Sequence, residues 1–395
     1  MNLVNYFTDK FGIDFQYTDV SNDSVKFIHA SDIHLGAAQY RNDYRADDYI
    51  LAFREILELA ISYHVDFIIL GGDVFTSLEI LPGKLTEIIS LLTDFKAFTQ
   101  SKKFIIAIEG NHDIRKFSRG TLFEKRGQSW LKLLNRLNLI ILLDADLEEA
   151  SLEDVFKPFN SKTKTGGKIR IKHVNVYGSR YLGEKPIRQL SRIRKAMIKD
   201  INSYNILLQH FGIEGQMENV PGMKLEEIQH LKHRVDYLAL GHFHKQFIIN
   251  DWIYNPGSSE ATCALDNSFK RGVFLVEIIK EFNKFKKIVT IVRLNNRRYV
   301  WKSIHLNFEV RKKEDLELII VNKLQNSLKD VELDLHPSNP RMPILYLIIK
   351  GTKPKCKINE KDLRVKICEE LPILDSRIYQ KFKESIKTID QYILA

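Results

Sequence analysis

Short apolar runs alternate with longer amphipathic stretches in the first part of the chain. Residues 25–30, 65–70 and 104–108 are rich in Val, Ile, Leu and Phe, and they predict buried strands. Residues 47–63 and 85–98 carry apolar side chains at intervals of three and four, which predicts two helices. Strands that are apolar on both faces and alternate with helices predict an α/β domain whose sheet is covered on both sides.

The same kind of pattern continues to about residue 300. Residues 205–209 and 235–240 predict two more buried strands. After residue 257 the apolar and polar positions alternate, and residues 272–278 and 288–294 predict strands of that type.

A different composition begins near residue 301 and predicts a separate small α+β domain. Its expected strands lie at 308–310 and 344–349, and its expected helices at 316–328 and 360–370. Since 395 residues exceed the size of one small domain, we divide the chain into three parts. They are an N-terminal extension at 1–24, a main domain at 25–300 and a C-terminal domain at 301–395.

The charge balance favours a polyanionic partner. Formal net charge is +10, and excess charge bears on partners and solubility rather than on fold. Three scattered cysteines without CxxC spacing suit a reducing compartment. We find neither a signal peptide nor an apolar run of the ~18 residues that a membrane span needs. We therefore expect a cytoplasmic protein that does not associate with membranes, or a nuclear one if the source is a eukaryote.

Polar residues with oxygen or nitrogen donor atoms follow five of the predicted strands. The five blocks are Ser31-Asp32-Ile33-His34, Gly72-Asp73, Gly110-Asn111-His112-Asp113, His210 and Gly241-His242-Phe243-His244. Each block by itself is compatible with an ordinary turn, but five in succession at strand ends are typical of a site with two metal ions. Such a site indicates hydrolysis of a phosphate ester.

The residue types restrict which metal ions could bind. The histidines His34, His210, His242 and His244 argue against a pure Mg²⁺ site, because Mg²⁺ prefers oxygen ligands while Mn²⁺, Fe²⁺ or Zn²⁺ accept imidazole. Asp32 and His34 are two residues apart and would point the same way on an extended strand end, as would His242 and His244.

The third block also supplies two candidate catalytic residues. His112 follows the potential oxygen ligand Asn111 and is a candidate general acid, and Asp113 could orient the His112 ring. Basic residues follow directly, and Arg115, Lys116 and Arg119 are predicted to contact DNA phosphates.

Together these motifs resemble the calcineurin-like metallophosphoesterases. The run from Ser31 to Gly36 and the pairs Asp48-Tyr49 and Ala52-Phe53 narrow the resemblance to the nuclease subunit of the DNA double-strand-break repair complex, archaeal type, with the bacterial SbcD nucleases as cousins. The motifs 210–215 and 255–259 continue it. The resemblance implies an α/β metallophosphoesterase β-sandwich flanked by helices, with a small C-terminal α+β capping domain that contacts DNA.

The resemblance also implies the ligand sets and the metal. One metal ion would be held by Asp32, His34, Asp73 and His244, and the other by Asp73, Asn111, His210 and His242. Asp73 would bridge two divalent ions, expected to be Mn²⁺, and His112 would assist the leaving oxygen.

Activities and partners follow from the same resemblance. We expect 3′→5′ exonuclease activity on duplex DNA and endonuclease activity on single strands and hairpins. Thr76 stands where archaeal members carry a second catalytic histidine, which SbcD-type members also lack. The expected partners are DNA, a second copy of the chain and a coiled-coil ABC-type ATPase. Because the chain ends at Ala395, the segment that usually binds the ATPase is expected to be short or absent.

Two other interpretations stay open on sequence alone. The first is a metallophosphodiesterase that acts on a small or nucleotide substrate. The second is a scaffold that binds DNA ends and hydrolyses them weakly.

Overall fold

The computed structural model describes residues 5–12, 23–114, 128–263, 266–282, 284–307, 309–328 and 341–382. Two compact units divide the chain, the first at residues 1–296 and the second at 297–395. Among the helices in these ranges, none combines the length and the apolarity that crossing a membrane requires.

Two six-stranded sheets form the centre of the first unit. The first sheet has the strand order β12-β11-β1-β2-β3-β4, in which β1 to β4 are parallel and β11 and β12 are antiparallel to their neighbours. Its strands are β1 (Ser24–Ala30), β2 (Phe67–Leu70), β3 (Phe104–Ala107), β4 (Ile141–Leu142), β11 (Gly272–Glu281) and β12 (Lys284–Arg293).

The second sheet has the order β5-β6-β7-β8-β10-β9, with β6, β7, β8 and β10 parallel. Its strands are β5 (Lys168–Ile171), β6 (Val174–Gly178), β7 (Tyr204–His210), β8 (Tyr237–Gly241), β9 (Phe247–Ile249) and β10 (Ile253–Asn255).

Helices cover the outer face of each sheet. On the first sheet they are α1 (Tyr6–Phe11), α2 (Asp43–Ser62), α3 (Pro82–Phe98) and α4 (Trp130–Arg136), and on the second α5 (Ile187–Ala196) and α6 (Leu225–Ile228). The predicted α/β sandwich flanked by helices is confirmed.

The alternation of side chains along the strands explains this layering. Phe27 and Phe67 point between the two sheets, whereas Ile28 and Ile68, one residue further on, pack against the helices. Since both faces of a strand are buried, its sequence is a continuous apolar run. Each such side chain contributes about 1.5–3 kcal/mol when it is fully buried.

Helix α1 lies within the residues that we assigned to an N-terminal extension. The Phe7 side chain is completely buried in the core between α1 and the other outer helices. Asp94 of α3 accepts a hydrogen bond of 3.1 Å from the Phe7 backbone N–H, and the Arg54 guanidinium lies 4.8 Å from the centre of the Tyr6 ring. This short segment is thereby part of the first unit's hydrophobic core.

The second unit is a three-stranded parallel sheet with helices on one face. Its elements are β13 (Tyr299–Leu306), α7 (Lys313–Leu328), β14 (Ile344–Gly351), α8 (Glu360–Glu370) and β15 (Asp375–Phe382), in the sheet order β13-β14-β15. The predicted strand at 308–310 is wrong, because residues 309 and 310 lie outside any strand and the pairing with β14 is made by residues 299–306.

A buried histidine makes the stability of the first unit depend on pH. His29 of β1 lies between the sheets, with Nδ1 3.0 Å from the Tyr237 hydroxyl and Nε2 3.0 Å from the Leu240 carbonyl oxygen. A carbonyl only accepts, so Nε2 carries the proton and the ring is neutral. Burial lowers the pKa of His29 to about 3. Below pH ~6.5, His29 therefore binds a proton in the unfolded chain but not in the folded protein. The free energy of unfolding falls as the pH falls from ~6.5 toward the pKa of His29 in the folded protein.

We predict that His29→Gln flattens this dependence. Between pH 7.5 and pH 5 the wild-type free energy of unfolding should fall by about 2 kcal/mol more than that of the variant. Urea denaturation in EDTA across this pH range measures the free energy of unfolding of both proteins. The exposed His233 gives the matched control His233→Gln, which should keep the wild-type slope. Equal slopes for wild type and His29→Gln would contradict the argument.

Candidate metal centre

The seven predicted metal ligands lie at the carboxyl ends of parallel strands or in the loops that follow them. Asp32, His34, Asp73 and Asn111 follow β1, β2 and β3 of the first sheet, while His210 ends β7 and His242 and His244 follow β8 of the second. The two sheets face each other, so loops from strand ends that are distant in sequence meet at one place.

One group of donor atoms comprises those of Asp32, His34 and His244, all within 4.8 Å of one another. The Nε2 atoms of His34 and His244 are 3.1 Å apart, and the Nε2 atom of His244 lies 3.9 Å from Oδ1 of Asp32. Asp32 is completely buried, and its carboxylate also accepts hydrogen bonds from the Ser31 hydroxyl and the His242 backbone N–H.

A second group comprises Asp73, His210 and His242, again with donor atoms within 4.8 Å. Nε2 of His210 is 3.2 Å from Oδ2 of Asp73 and 3.1 Å from Oδ1 of Asn111. The same Asn111 oxygen is 3.1 Å from Nδ1 of His242. The two groups contain all seven predicted ligands once Asn111 is included.

The hydrogen-bond pattern of the second group requires either an additional proton or a metal ion. Nδ1 of His210 is 2.6 Å from the Gly71 carbonyl oxygen, which can only accept, so Nδ1 carries a proton. In the neutral ring, Nε2 then directs a lone pair at the carboxylate oxygen of Asp73 and the amide oxygen of Asn111. Three acceptors that converge in this way repel one another unless a proton or a metal ion lies among them.

The pKa values of the residues in both groups are consistent with acceptors that converge on a proton or a metal ion. Burial disfavours the charged form of His210, but Asp73 and Asp32 outweigh it and raise the pKa of His210 to about 9. Burial also disfavours the ionised form of Asp73, yet His210, His34 and His112 hold its pKa below the ordinary value. Burial lowers the pKa of His34 to about 3, which leaves the neutral imidazole that a metal ion binds.

The loops hold four of the predicted ligands in an uncommon backbone conformation. Asp32, His34, Asp73 and His242 have φ angles of 51°, 53°, 50° and 87°. The prediction that Asp32 and His34 share an extended strand end is therefore wrong. Positive φ in residues other than glycine is uncommon, and it persists where surrounding contacts fix it. Here the Asp32 N–H donates to Gly72 O and the His34 N–H to Asp73 O, both at 3.0 Å.

A glycine is needed at the third block because the chain passes very close to Asp73. A Cβ atom on Gly110 would lie 2.2 Å from Oδ1 of Asp73. That same oxygen accepts a hydrogen bond of 2.8 Å from the His112 backbone N–H. Any larger residue at position 110 would displace the Asp73 carboxylate.

Asp113 connects two loops and does not orient the His112 ring. Its two carboxylate oxygens accept hydrogen bonds from the backbone N–H groups of Val74 (3.2 Å), Phe75 (2.8 Å) and Gly110 (2.9 Å). The His112 ring instead has Nδ1 2.9 Å from the Thr76 carbonyl oxygen. The sequence predicted Asp113 as the orienting group because the two residues are adjacent, but the ring and the carboxylate point to different partners.

Two residues beside the centre have no counterpart among the sequence predictions. Nδ1 of His244 is 2.8 Å from Oδ2 of Asp266, and this oxygen also accepts from the Thr262 hydroxyl at 2.6 Å. The pKa of Asp266 lies below its ordinary value because hydrogen bonds from His244 and Thr262 outweigh the effect of burial. Neither residue stands in a recognisable motif, and only the folded loop brings them to His244.

Tyr181 is a third neighbour that the sequence did not indicate. Its ring centre lies 5.9 Å from those of both His210 and His242. The predicted DNA contacts Arg115, Lys116 and Arg119 lie outside the described residues.

Comparison with known proteins supports the resemblance drawn from the motifs. The protein named DNA double-strand break repair protein Mre11 from Saccharolobus solfataricus is 25% identical over 370 residues, which cover 93% of this chain and 84% of that protein. The protein of the same name from Sulfurisphaera tokodaii is 24% identical over 341 residues, covering 86% and 77%. That from Sulfolobus acidocaldarius is 23% identical over 332 residues, covering 84% and 76%.

The family model described as calcineurin-like phosphoesterase matches residues 25–246, more than half of the chain. The match includes all five blocks of donor residues. The chain thus belongs to the calcineurin-like phosphoesterase family and is a metal-dependent phosphoesterase.

Proposed function

We propose that this protein is a nuclease of DNA double-strand-break repair that hydrolyses phosphodiester bonds with two divalent metal ions. The observation that carries the proposal is the pair of neighbouring donor groups, Asp32-His34-His244 and Asp73-His210-His242. The names of the three relatives support DNA repair, and the net charge of +10 supports a polyanionic substrate.

The proposed ligand sets follow these two groups. Asp32, His34 and His244 would hold one ion, and Asn111, His210 and His242 would hold the other, with Asp73 contributing to both sets. Mn²⁺ is the proposed metal, because four imidazoles mixed with carboxylates, two for each ion, suit a borderline ion better than Mg²⁺. Two ions held in this way would supply Lewis acidity, lowering the pKa of bound water and neutralising charge on the phosphate.

Three residues have further proposed roles in holding the ions and in proton transfer. We place Asp73 in the shared position because its Oδ2 lies 3.2 Å from Nε2 of His210, which belongs to one ligand set, and because it interacts electrostatically with His34 of the other set. The exposed His112 donates through Nδ1 to the Thr76 carbonyl, which leaves Nε2 able to carry a proton toward the leaving oxygen. Asp113 keeps the Asp73 and Asn111 loops together.

We propose endonuclease activity on single strands and hairpins and 3′→5′ exonuclease activity on duplex DNA. Thr76 occupies the place of the second histidine of archaeal relatives, and we infer that the exonuclease activity is the weaker of the two.

The proposed partners are a second copy of this chain and a coiled-coil ABC-type ATPase. Apolar surface near the starts of α2 and α3 supports the homodimer: Tyr44 is 65% exposed and Leu81 is 66% exposed. A cavity of about 430 Å³ beside them is lined by apolar residues such as Ile50 and Ile80 and by the charged residues Asp43, Glu79 and Lys84. The ATPase rests on the likeness to the repair nucleases alone.

We predict that Asp73→Ala abolishes Mn²⁺-dependent cleavage of end-labelled duplex and hairpin DNA, because both ions lose a ligand.

His112→Ala should leave metal and DNA binding largely unchanged and reduce turnover at least ~100-fold, as expected for loss of a general acid. A small chromogenic phosphodiester is assayed beside the DNA, and the surface variant Asp154→Ala serves as the matched carboxylate control.

Each alternative predicts a different outcome of that assay. Cleavage of the small ester alone would favour a phosphodiesterase for small substrates. DNA that is bound but not hydrolysed would favour a scaffold. Full turnover by His112→Ala would remove this residue from the mechanism.

We also predict that Asp266→Asn weakens Mn²⁺ binding by about 10- to 100-fold, the usual effect of losing a carboxylate that orients a ligating histidine. The reason is that Asp266 fixes the proton on Nδ1 of His244 and so directs Nε2 at the ion. Isothermal titration of metal-free protein measures the affinity, with Asp251→Asn, an exposed loop carboxylate, as control. Unchanged affinity in Asp266→Asn would show that the contact does not position the ligand.

A further inference from the structure

We propose that Glu260 is a positioning residue for one of the two metal ions only, the ion that Asp32, His34 and His244 would hold. This inference rests on the proposed two-ion centre. It adds that the two ion sites have separate structural supports, so that one site can lose affinity while the other keeps it.

A supporting loop, residues 258–262, contacts two of the three donor residues of the first group. Near its start, the Ser259 backbone N–H donates to the Asp32 carbonyl oxygen at 3.3 Å. At its end, the Thr262 hydroxyl oxygen lies 3.1 Å from Nδ1 of His244. The conformation of this loop therefore bears on the position of both donors.

Glu260 lies at the middle of the supporting loop, and its buried carboxylate accepts three hydrogen bonds. Oε1 accepts from the Ala261 backbone N–H at 2.8 Å and from the Arg45 guanidinium of α2 at 3.3 Å. Oε2 accepts from the side-chain amide of Asn296 at 3.0 Å, and the same amide donates to the Ser259 carbonyl oxygen at 2.7 Å. One carboxylate thus attaches the loop to α2 and to the segment that follows β12.

Removal of this carboxylate should loosen the loop without unfolding the first unit. The donors on Arg45, Ala261 and Asn296 would each lose an acceptor, and leaving buried donors without acceptors costs free energy. The loop would then shift to find other partners for them. Arg45 would keep Asp48 at 2.6 Å, so its buried charge would still be paired when Glu260 is replaced.

The second group of donors is supported by other contacts. The Gly71 carbonyl oxygen accepts from Nδ1 of His210 at 2.6 Å. Asp113 accepts backbone hydrogen bonds from the loops that follow β2 and β3. None of these contacts involves the supporting loop. A change at Glu260 should therefore act on the first ion site and leave the second unchanged.

A zinc titration of metal-free protein with isotope-labelled histidine rings, followed by NMR, distinguishes the two sites. Zn²⁺ binds imidazole nitrogen and has a filled d shell, so the ring signals stay sharp when it binds. Signals of His34 and His244 report one site, and those of His210 and His242 report the other. The variants His244→Ala and His210→Ala assign the signals. A chelator sets the free Zn²⁺ concentration, and no DNA is present.

Glu260→Ala should need about tenfold more free Zn²⁺ to shift the His244 signal, the lower end of the effect of losing a contact behind a metal ligand. The His210 signal should respond at the wild-type Zn²⁺ concentration. Glu260→Gln keeps Oε1 as an acceptor for Arg45 and Ala261, so its His244 signal should respond close to the wild-type concentration.

Glu277→Ala is the matched control, because Glu277 also accepts a side-chain hydrogen bond within the first unit but at the other end of β1. Its partner is the Ser24 hydroxyl, at 2.7 Å. This variant should leave both sites unchanged. The buried His173 ring, whose centre lies 5.5 Å from that of Phe285, is an internal reference. An unchanged His173 signal shows that the two sheets remain packed.

Asn296→Ala tests the same junction from its other side. It removes the donor to Glu260 and to the Ser259 carbonyl oxygen and changes no buried charge. Its His244 signal should shift at a higher Zn²⁺ concentration than in the wild type, by less than in Glu260→Ala. This variant decides the question if Glu260→Ala does not fold.

The proposal is overturned if Glu260→Ala weakens the responses of His244 and His210 equally, or weakens neither, or if Asn296→Ala leaves the His244 response unchanged. A wild type in which Zn²⁺ shifts the signals of only one group would overturn the two-ion centre as well. Because no DNA is present, a wild type that binds two ions and does not cleave DNA would refute the proposed nuclease activity and leave this inference standing.

Discussion

Hydrogen-bond acceptors whose lone pairs would repel one another are held together at the metal centre, and the rest of the first unit is arranged around that constraint. Oδ2 of Asp73 and Oδ1 of Asn111 both lie within 3.2 Å of Nε2 of His210. A proton or a metal ion among them relieves this repulsion. Two sheets must therefore meet with their strand ends side by side, and the apolar layer between them supplies the free energy that holds the acceptors in place.

Backbone contacts between the loops fix the positions of the ligands. The loops after β1 and β2 continue to pair beyond the end of the sheet, which keeps Asp32 and His34 at positive φ. Asp113 joins the loops of the second and third blocks by accepting three backbone hydrogen bonds. Because the ligands are already held in place, metal binding does not require the free energy of rearranging them.

A buried charged network extends this support to the loop that carries Thr262. Arg45 of α2 is completely buried, pairs with Asp48 at 2.6 Å and donates to the Ala261 carbonyl at 3.0 Å. The Tyr49 hydroxyl donates to the same carbonyl at 2.7 Å. Buried ion pairs add little net stability, and their value here is to fix one loop conformation, since removal of one partner would leave an uncompensated charge. The support for His244 therefore reaches back to the helix that follows the first block.

The sequence by itself determined seven strands of the first unit, its two long outer helices α2 and α3 and the residues at the strand ends. These features depend on local periodicity and on residue type, both of which are visible in the chain. The tertiary structure alone decided the role of Asp113, the contact of Asp266 with His244 and the positive φ angles of the ligands, because each depends on which loops meet across the two sheets. The same holds for the neighbouring aromatic rings on the sheet of the second unit. Trp301, Tyr346 and Tyr379 are far apart in the sequence, and only strand register makes them neighbours.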